Sequence, residues 1–114
     1  MYNEPLTFDV VPGSTAEIRI FRLHGPISLS NLFDFQKVLM AGTEKVTILD
    51  FAESPYMDSA GLGVIMNYFV SAQSGGRKFF VAGVSDRIRA LLEMTKVDGV
   101  LRLCDTVDAA QALA

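Results

Sequence analysis

The sequence predicts an α/β fold: a mixed β-sheet of four to five strands with about four α-helices packed on it. Three observations indicate this class. Short apolar runs rich in β-branched residues alternate with segments whose apolar residues recur at helical spacing, and two strand-like runs at the start are separated by a turn. Because strand–helix–strand connections are right-handed crossovers between parallel strands, the alternation predicts a largely parallel sheet. The length of 114 residues predicts one domain over 1–114.

A β-hairpin is expected at the start of the chain. Leu6–Val11 has apolar residues at alternate positions and ends at the turn pair Pro12-Gly13. Thr15–His24 follows with an imperfect alternation that still favours a strand. Residues 12–15 would then form the turn of the hairpin.

A helix and a central strand are predicted next. After Gly25-Pro26, apolar residues at helical spacing indicate a helix over Asn31–Ala41, with Ser30 as its N-cap and Gly42 as its stop. Lys45–Phe51 is a short, almost wholly apolar run, which is typical of a strand covered by helices on both faces.

The segment from Ser59 to Gly76 has eighteen residues without a charge. Its serines, glycines and amides argue against a membrane span, which needs about 20 predominantly apolar residues, so we expect a helix ending at Gly75-Gly76. The predicted core face comprises Leu62, Ile65, Met66 and Phe69. The opposite face, Val64, Asn67, Tyr68 and Ser71, is predicted to form an uncharged exposed strip, which suits the centre of a protein interface; partial burial by a neighbouring helix is the alternative.

The remaining elements continue the alternation. Lys78–Ala82 is predicted to be a buried strand, and Ser85 is predicted to cap a helix that runs to about Thr95. A short last strand over Val100–Leu103 and a final helix capped by Asp105 complete the chain.

Composition excludes several functions. With 10 basic and 13 acidic residues the net charge is −3, whereas a nucleic-acid binder needs a basic excess. His24 and Cys104 are the only histidine and cysteine, too few for a zinc site or an internal disulfide. No signal peptide is visible at the N-terminus. We therefore expect a cytoplasmic protein with no metal, no cofactor, no nucleic-acid partner and no insertion into a membrane.

The segment Asp58-Ser59-Ala60-Gly61-Leu62-Gly63 is the most informative motif. It places a carboxylate and a hydroxyl at a helix N-terminus, where backbone N–H groups lack intrahelical partners and the dipole favours negative charge. Glycines in the first turns leave room either for another protein's backbone or for close packing on the sheet. An exposed serine there could also carry a phosphate.

Enzymatic motifs are absent. Met66 stands where a dinucleotide fingerprint has its third glycine, and no Gly-Lys-Ser/Thr follows as in a P-loop. Met57 stands where a nucleophile elbow has a glycine. Asp50 could end a phospho-receiver strand, but no acidic pair follows the first strand to hold magnesium. The sequence thus predicts that the protein is not an enzyme.

The sequence resembles the STAS family, and within it the bacterial anti-sigma factor antagonists. The Met-Asp-Ser-Ala-Gly-Leu-Gly segment from Met57 carries the resemblance, supported by Arg22–Gly25, the Val46–Phe51 strand, Gly75-Gly76 and the helix after Ser85. This resemblance implies a partner switch that controls sigma-factor-dependent transcription, as in a stress response. The unphosphorylated antagonist binds a serine-kinase anti-sigma factor, which phosphorylates the serine after the motif's aspartate, here Ser59. The phosphorylated form is released until a serine phosphatase restores it.

The partner-binding residues expected from the motif and the helix strip are Asp58, Ser59, Ala60, Gly61, Leu62, Gly63, Val64, Asn67 and Tyr68. One departure from the family's sequence pattern leaves an alternative function open. Many kinase-switched members have a Gly-Glu-x-Asp pattern where this chain has Gly25-Pro26-Ile27-Ser28. The alternative is a non-switching STAS module, either a scaffold subunit of a sensory complex or an accessory subunit of a membrane transport system.

Overall fold

A five-stranded sheet with four helices forms the protein in the computed structural model, which describes residues 5–114. The predicted α/β class is confirmed. The elements in chain order are β1 (Thr7–Pro12), β2 (Ile18–His24), α1 (Phe33–Ala41), β3 (Val46–Glu53), α2 (Ser59–Ser74), β4 (Lys78–Ala82), α3 (Asp86–Met94), β5 (Arg102–Cys104) and α4 (Val107–Leu113).

The strands lie side by side in chain order, β1-β2-β3-β4-β5. The β1–β2 hairpin is antiparallel and the other pairs are parallel, as the alternation of strands and helices predicts. Because parallel strands end at the same edge, the loops after β2, β3 and β4 meet there, where α/β sheets commonly bind their ligands.

Helices cover both faces of the central strand. Ile48 of β3 belongs to a small cluster with Ala110 of α4, whereas Leu49 belongs to the main core that α1, α2 and α3 share with the sheet. Both β3 side chains are fully buried. The prediction of a doubly covered central strand is therefore confirmed, and the turn that follows it has a rigid support.

Several predicted element starts were wrong. The strand β2 begins at Ile18 and not at Thr15, because the Ile18 N–H donates to the Thr15 carbonyl within the hairpin turn. Ser30 does not cap α1: its Oγ lies 2.9 Å from Ser28 Oγ, and the helix starts at Phe33 after a turn. Thr106, not Asp105, caps α4, because its side chain accepts the Ala109 N–H. The strand β5 begins only at Arg102, because the amides of residues 100 and 101 both bond the Val97 carbonyl in a preceding turn.

A buried arginine joins the main elements, which sequence patterning did not suggest. Arg19 of β2 is 3% exposed. Its Nε donates to Thr47 Oγ1 (2.8 Å), while Nη1 and Nη2 donate to the carbonyls of Val38 and Leu39 near the end of α1 (3.2 and 2.7 Å). Nη2 also donates to the Tyr68 hydroxyl (3.3 Å). The guanidinium thus satisfies helix carbonyls that have no intrahelical partner and connects β2, β3, α1 and α2.

Candidate functional site

The turn between β3 and α2 is held by the loop that follows β2. Ile27 N–H donates to the Tyr56 carbonyl and Asp58 N–H donates to the Ile27 carbonyl, each at 3.0 Å. Buried Ser54 adds a 2.6 Å hydrogen bond from Oγ to the Gly25 carbonyl. These contacts fix the position at which α2 begins.

Asp58 is the N-cap of α2 and also binds the neighbouring loop. Its Oδ1 accepts the Gly61 N–H at 3.0 Å, and its Oδ2 accepts the Leu29 N–H at 3.1 Å. The second bond joins residues 29 positions apart, so local spacing could not reveal it. One carboxylate therefore orders both the helix start and the loop beside it.

Ser59 is the first residue of α2 and is exposed. Its hydroxyl forms no hydrogen bond within residues 5–114, in contrast to Ser85, whose Oγ both caps α3 and donates to the Pro55 carbonyl. Ser59 lies in the first turn, where backbone N–H groups have no intrahelical acceptor. Its hydroxyl is therefore available to a group from another molecule.

The two glycines of the motif have different surroundings. A Cβ on Gly61 would lie 2.8 Å from Ile27 Cγ2 and 3.0 Å from Met57 Cγ, whereas a Cβ on Gly63 would have no heavy atom within 4 Å. Gly61 is thus explained by close packing. Gly63 is exposed, and no contact within the described chain requires the absence of its side chain.

This difference gives a matched pair of variants. We expect Gly61→Ala to lower the free energy of unfolding by about 1–3 kcal/mol, because the new methyl group overlaps buried side chains. Gly63→Ala should leave stability unchanged or raise it by up to about 1 kcal/mol through helix propensity. Urea unfolding of both variants measures this; equal effects at the two positions would contradict the packing assignment.

The predicted exposed strip of α2 is corrected. Val64 and Tyr68 are buried, at 7% and 1% exposure, and Tyr68 OH lies 3.2 Å from Thr47 Oγ1. Conversely, Met66 and Phe69 of the predicted core face are only partly buried. The sheet and neighbouring helices cover a wide arc of α2. The exposed stripe consists of Ser59, Gly63, Asn67, Val70 and Ser74, and Gln73 is exposed beside it.

The motif residues accordingly fall into three groups of accessibility. Of the nine predicted partner-binding residues, the exposed ones are Ser59, Gly63 and Asn67, the half-buried ones are Asp58 and Ala60, and the buried ones are Gly61, Leu62, Val64 and Tyr68. The exposed stripe remains uncharged throughout. The buried group shapes the site from beneath and does not present side chains on the surface.

The sequence patterns did not indicate two exposed apolar residues between the end of β2 and the first turn of α1. Leu29, whose N–H binds Asp58, is 63% exposed, and Phe33 at the start of α1 is 67% exposed. In the sequence Phe33 merges with the apolar spacing of α1, in which Phe35 and Leu39 are fully buried. Phe33 directly follows Leu32, and adjacent residues do not lie on the same face of a helix. This adjacency is the only feature of the sequence that indicates a different face for Phe33.

A positive charge from α3 lies beside the turn between β3 and α2. The guanidinium carbon of exposed Arg87, in the first turn of α3, lies 4.6 Å from the centre of the Tyr56 ring. Ser85 anchors this helix to the turn through the Pro55 carbonyl at 2.8 Å. The loop after β2, the start of α2 and the start of α3 therefore form one continuous surface.

Metal binding, a reactive thiol and a membrane-spanning helix each have little support in the described part of the chain. Residues 5–114 contain no group of three His, Cys, Asp or Glu side chains placed to hold a metal ion. Burial, with a smaller contribution from Asp105, raises the pKa of the Cys104 thiol, which disfavours the reactive thiolate. No helix among these residues is long and apolar enough to cross a membrane.

Comparison with known proteins gives a family match over most of the chain. The model of the STAS domain matches residues 11–110. A Thermotoga maritima protein named "Putative anti-sigma factor antagonist" is 31% identical over 77 residues, 67% of this chain and 66% of that protein. The anti-sigma-B factor antagonist of Listeria monocytogenes is 34% identical over 55 residues, 48% of each chain. The matched segment thus spans less than two thirds of either relative.

Solved structures show the same fold. An anti-sigma factor antagonist from Mycobacterium paratuberculosis superposes with a TM-score of 0.85 at 16% identity, covering 95% of this chain and 92% of that one. A sulfate transporter family protein from Wolinella succinogenes gives 0.74 at 27% identity, with 90% and 87% covered. The Bacillus protein SpoIIAA in its phosphorylated form gives 0.71 at 17% identity, with 93% and 97% covered.

Proposed function

The chain belongs to the STAS domain family, and from this membership we propose that it is a cytoplasmic anti-sigma factor antagonist whose binding to a serine-kinase anti-sigma factor is switched by phosphorylation of Ser59. Unphosphorylated, the chain would hold the kinase and free the sigma factor for transcription. Phosphorylated, it would release the kinase until a serine phosphatase removes the phosphate. In this role the chain is a substrate and a binding protein, and the partner supplies the catalytic groups.

The observation that carries this proposal is the exposed Ser59 hydroxyl at the start of α2. This serine lies in the sequence motif that identifies the antagonists of this family. Ser59 is the exposed residue that follows the capping Asp58, and its hydroxyl has no partner in the described chain. Asp58 and the loop after β2 hold this helix start in place. A kinase would thus meet the acceptor hydroxyl in a fixed position, which reduces the ordering cost of the encounter.

A phosphate on Ser59 would change the surface far more than the fold. It adds about −1.5 to −2 charges next to the Asp58 carboxylate, on a stripe whose other residues are uncharged. The helix N-terminus tolerates this negative charge within the domain. A partner surface adapted to the neutral stripe would instead have to bury the charge, which opposes close contact.

The partner surface that supports this switch consists of the exposed stripe on α2 and the apolar residues beside it. Gly63 allows close approach of another backbone, and Asn67 adds a neutral hydrogen-bonding group. Leu29 contributes exposed apolar area next to Asp58, and Phe33 at the start of α1 is a second exposed apolar residue. Interface centres are depleted in charge and enriched in aromatic residues, in agreement with this composition.

The test is phosphorylation by the cognate kinase. The protein is incubated with ATP and each candidate anti-sigma kinase, and the phosphate is mapped by mass spectrometry. We expect one phosphate, on Ser59, and none on the Ser59→Ala variant. Ser85→Ala is the matched control, because Ser85 is also a serine at a helix start but its hydroxyl is hydrogen bonded; this variant should be phosphorylated normally. Phosphate on another serine, or on none, contradicts the proposal.

A second function is favoured by one specific observation. The loop that binds Asp58 has no acidic residue from Gly25 to Ser28, and Ser28, at the position of the family's second acid, is buried and bonded to Ser30. A non-switching STAS module, as a scaffold subunit or a transporter accessory subunit, would not need that acid. Stable binding to a sensory or transport partner that is insensitive to Ser59→Asp would select this alternative.

A further inference from the structure

A cavity of about 220 Å³ lies at the end of the domain remote from Ser59. It is bounded by the last turns of α2, by the start of β4 and by the start of β5. Phe69, the first residue of α2 that lines the cavity, lies ten residues after Ser59, about 15 Å along the helix at 1.5 Å per residue. The cavity therefore shares no lining residue with the proposed phosphorylation site.

Three cations and no carboxylate line this cavity. Arg77, Lys78 and Arg102 are three of the ten basic residues of a chain whose net charge is −3. Within residues 5–114, neither Lys78 nor Arg102 forms an ion pair. Such a concentration of one charge in a concave site attracts small ions of the opposite charge.

Arg77 is held in place but has an unused donor. Its Nη2 donates to the Ser71 carbonyl and to Ser71 Oγ, at 3.1 and 3.0 Å, and its guanidinium carbon lies 5.9 Å from the centre of the Tyr68 ring. Its Nε is buried and has no hydrogen-bond acceptor in the described chain. Buried donors are rarely left unpaired, so the fold does not fully satisfy this guanidinium. The Arg77 side chain also lines the cavity, where its positive charge would attract an anion.

Phe69, Phe79 and Val100 contribute apolar surface to the cavity wall, and Gln73 contributes a neutral amide. The Phe79 ring is fixed by an edge-to-face contact with Tyr68, with ring centres 5.1 Å apart. The volume is below the 300–1,000 Å³ that is usual for drug-sized ligands, so the cavity fits a small molecule and not a polypeptide.

From these observations we infer that the cavity is a binding site for a small organic anion with a flat apolar group, its charge beside Arg77 and its apolar part against Phe69 and Phe79. The basic side chains select for the anion, and the phenylalanine rings select for the apolar part. This binding does not depend on the proposed switch at Ser59.

The test is titration of the isotope-labelled protein with phenyl phosphate at constant ionic strength, followed by amide NMR. We expect saturable shifts centred on Phe69, Gln73, Phe79 and Val100. Inorganic phosphate, which has no apolar group, should bind at least about tenfold more weakly, and uncharged benzyl alcohol should give no saturable shifts. Scattered or non-saturating shifts with phenyl phosphate, or equal affinity for inorganic phosphate, would overturn the inference.

Variants locate the site. Arg77→Gln should weaken phenyl phosphate binding at least about tenfold, as expected for loss of a charge-assisted hydrogen bond. Lys78→Gln, at an exposed position where the fold should be preserved, should weaken it about threefold. Arg22→Gln, an exposed arginine on β2, is the charge-matched control and should bind like the wild type. Unchanged binding by both cavity variants would refute the assignment.

Discussion

Ser59→Asp is expected to weaken binding of the protein to the proposed kinase partner at least about 30-fold. The substitution places a permanent carboxylate beside Asp58, on a stripe of α2 that is otherwise uncharged. A charge left unpaired in a protein interface costs about 2–5 kcal/mol, and the lower end of this range corresponds to about 30-fold in Kd. Calorimetric titration of wild type and variant with the kinase measures the effect.

The control for this prediction is Ser59→Ala, which removes the hydroxyl without adding charge. We expect its affinity to stay within about threefold of the wild type, because one exposed hydroxyl contributes little to an interface. Both variants should unfold at nearly the wild-type urea concentration, since Ser59 forms no hydrogen bond within residues 5–114 and the helix N-terminus tolerates a carboxylate. If both substitutions weaken binding equally, the charge is not the cause, and the switch mechanism fails.

Arg19→Met is expected to lower the free energy of unfolding by about 3 kcal/mol. Methionine retains much of the buried apolar stem, but the carbonyls of Val38 and Leu39 lose their donors, and each buried polar group left unsatisfied costs about 1–3 kcal/mol. The loss is a large share of the roughly 5–15 kcal/mol that stabilises a domain. Thermal unfolding should show a decrease in Tm on the order of 10 °C.

Arg22→Met on the same strand is the matched control. Arg22 is exposed, so the same chemical change there should alter the free energy of unfolding by no more than about 0.5 kcal/mol. Similar destabilisation at the two positions would mean that loss of positive charge, and not loss of the buried hydrogen bonds, is responsible.

The order and type of the elements follow from the sequence because each depends on local pattern. Lys78–Ala82 is a strand with the predicted bounds, and Asp58 and Ser85 cap their helices as their residue types predict. These features involve residues within a few positions of one another. The class of the fold then follows from the connection rules for strands and helices.

Features that depend on contacts between distant segments could not be predicted in this way. The burial of Tyr68 is set by Arg19 and Thr47, which lie 49 and 21 residues away in the chain. Leu29 is exposed at a loop position that is held by Asp58, 29 residues away in the chain. At the site, the motif predicted that Ser59 lies at the start of a helix, but not which neighbours form the surface around it. An arginine within an apolar strand is usually assumed to face water, so Arg19 gave no local signal of its buried role.

The position of Ser59 after the central strand has a consequence for the rate of local opening. β3 is hydrogen bonded on both sides, to β2 and to β4, and such core strands open only with the whole domain, so their amides exchange slowest with solvent. We expect the loop after β2 and the exposed stripe of α2 to exchange faster. A phosphate on Ser59 would therefore lie on an element anchored to the strand that we expect to be most protected, and hydrogen exchange should change around the modified residue but not in β3.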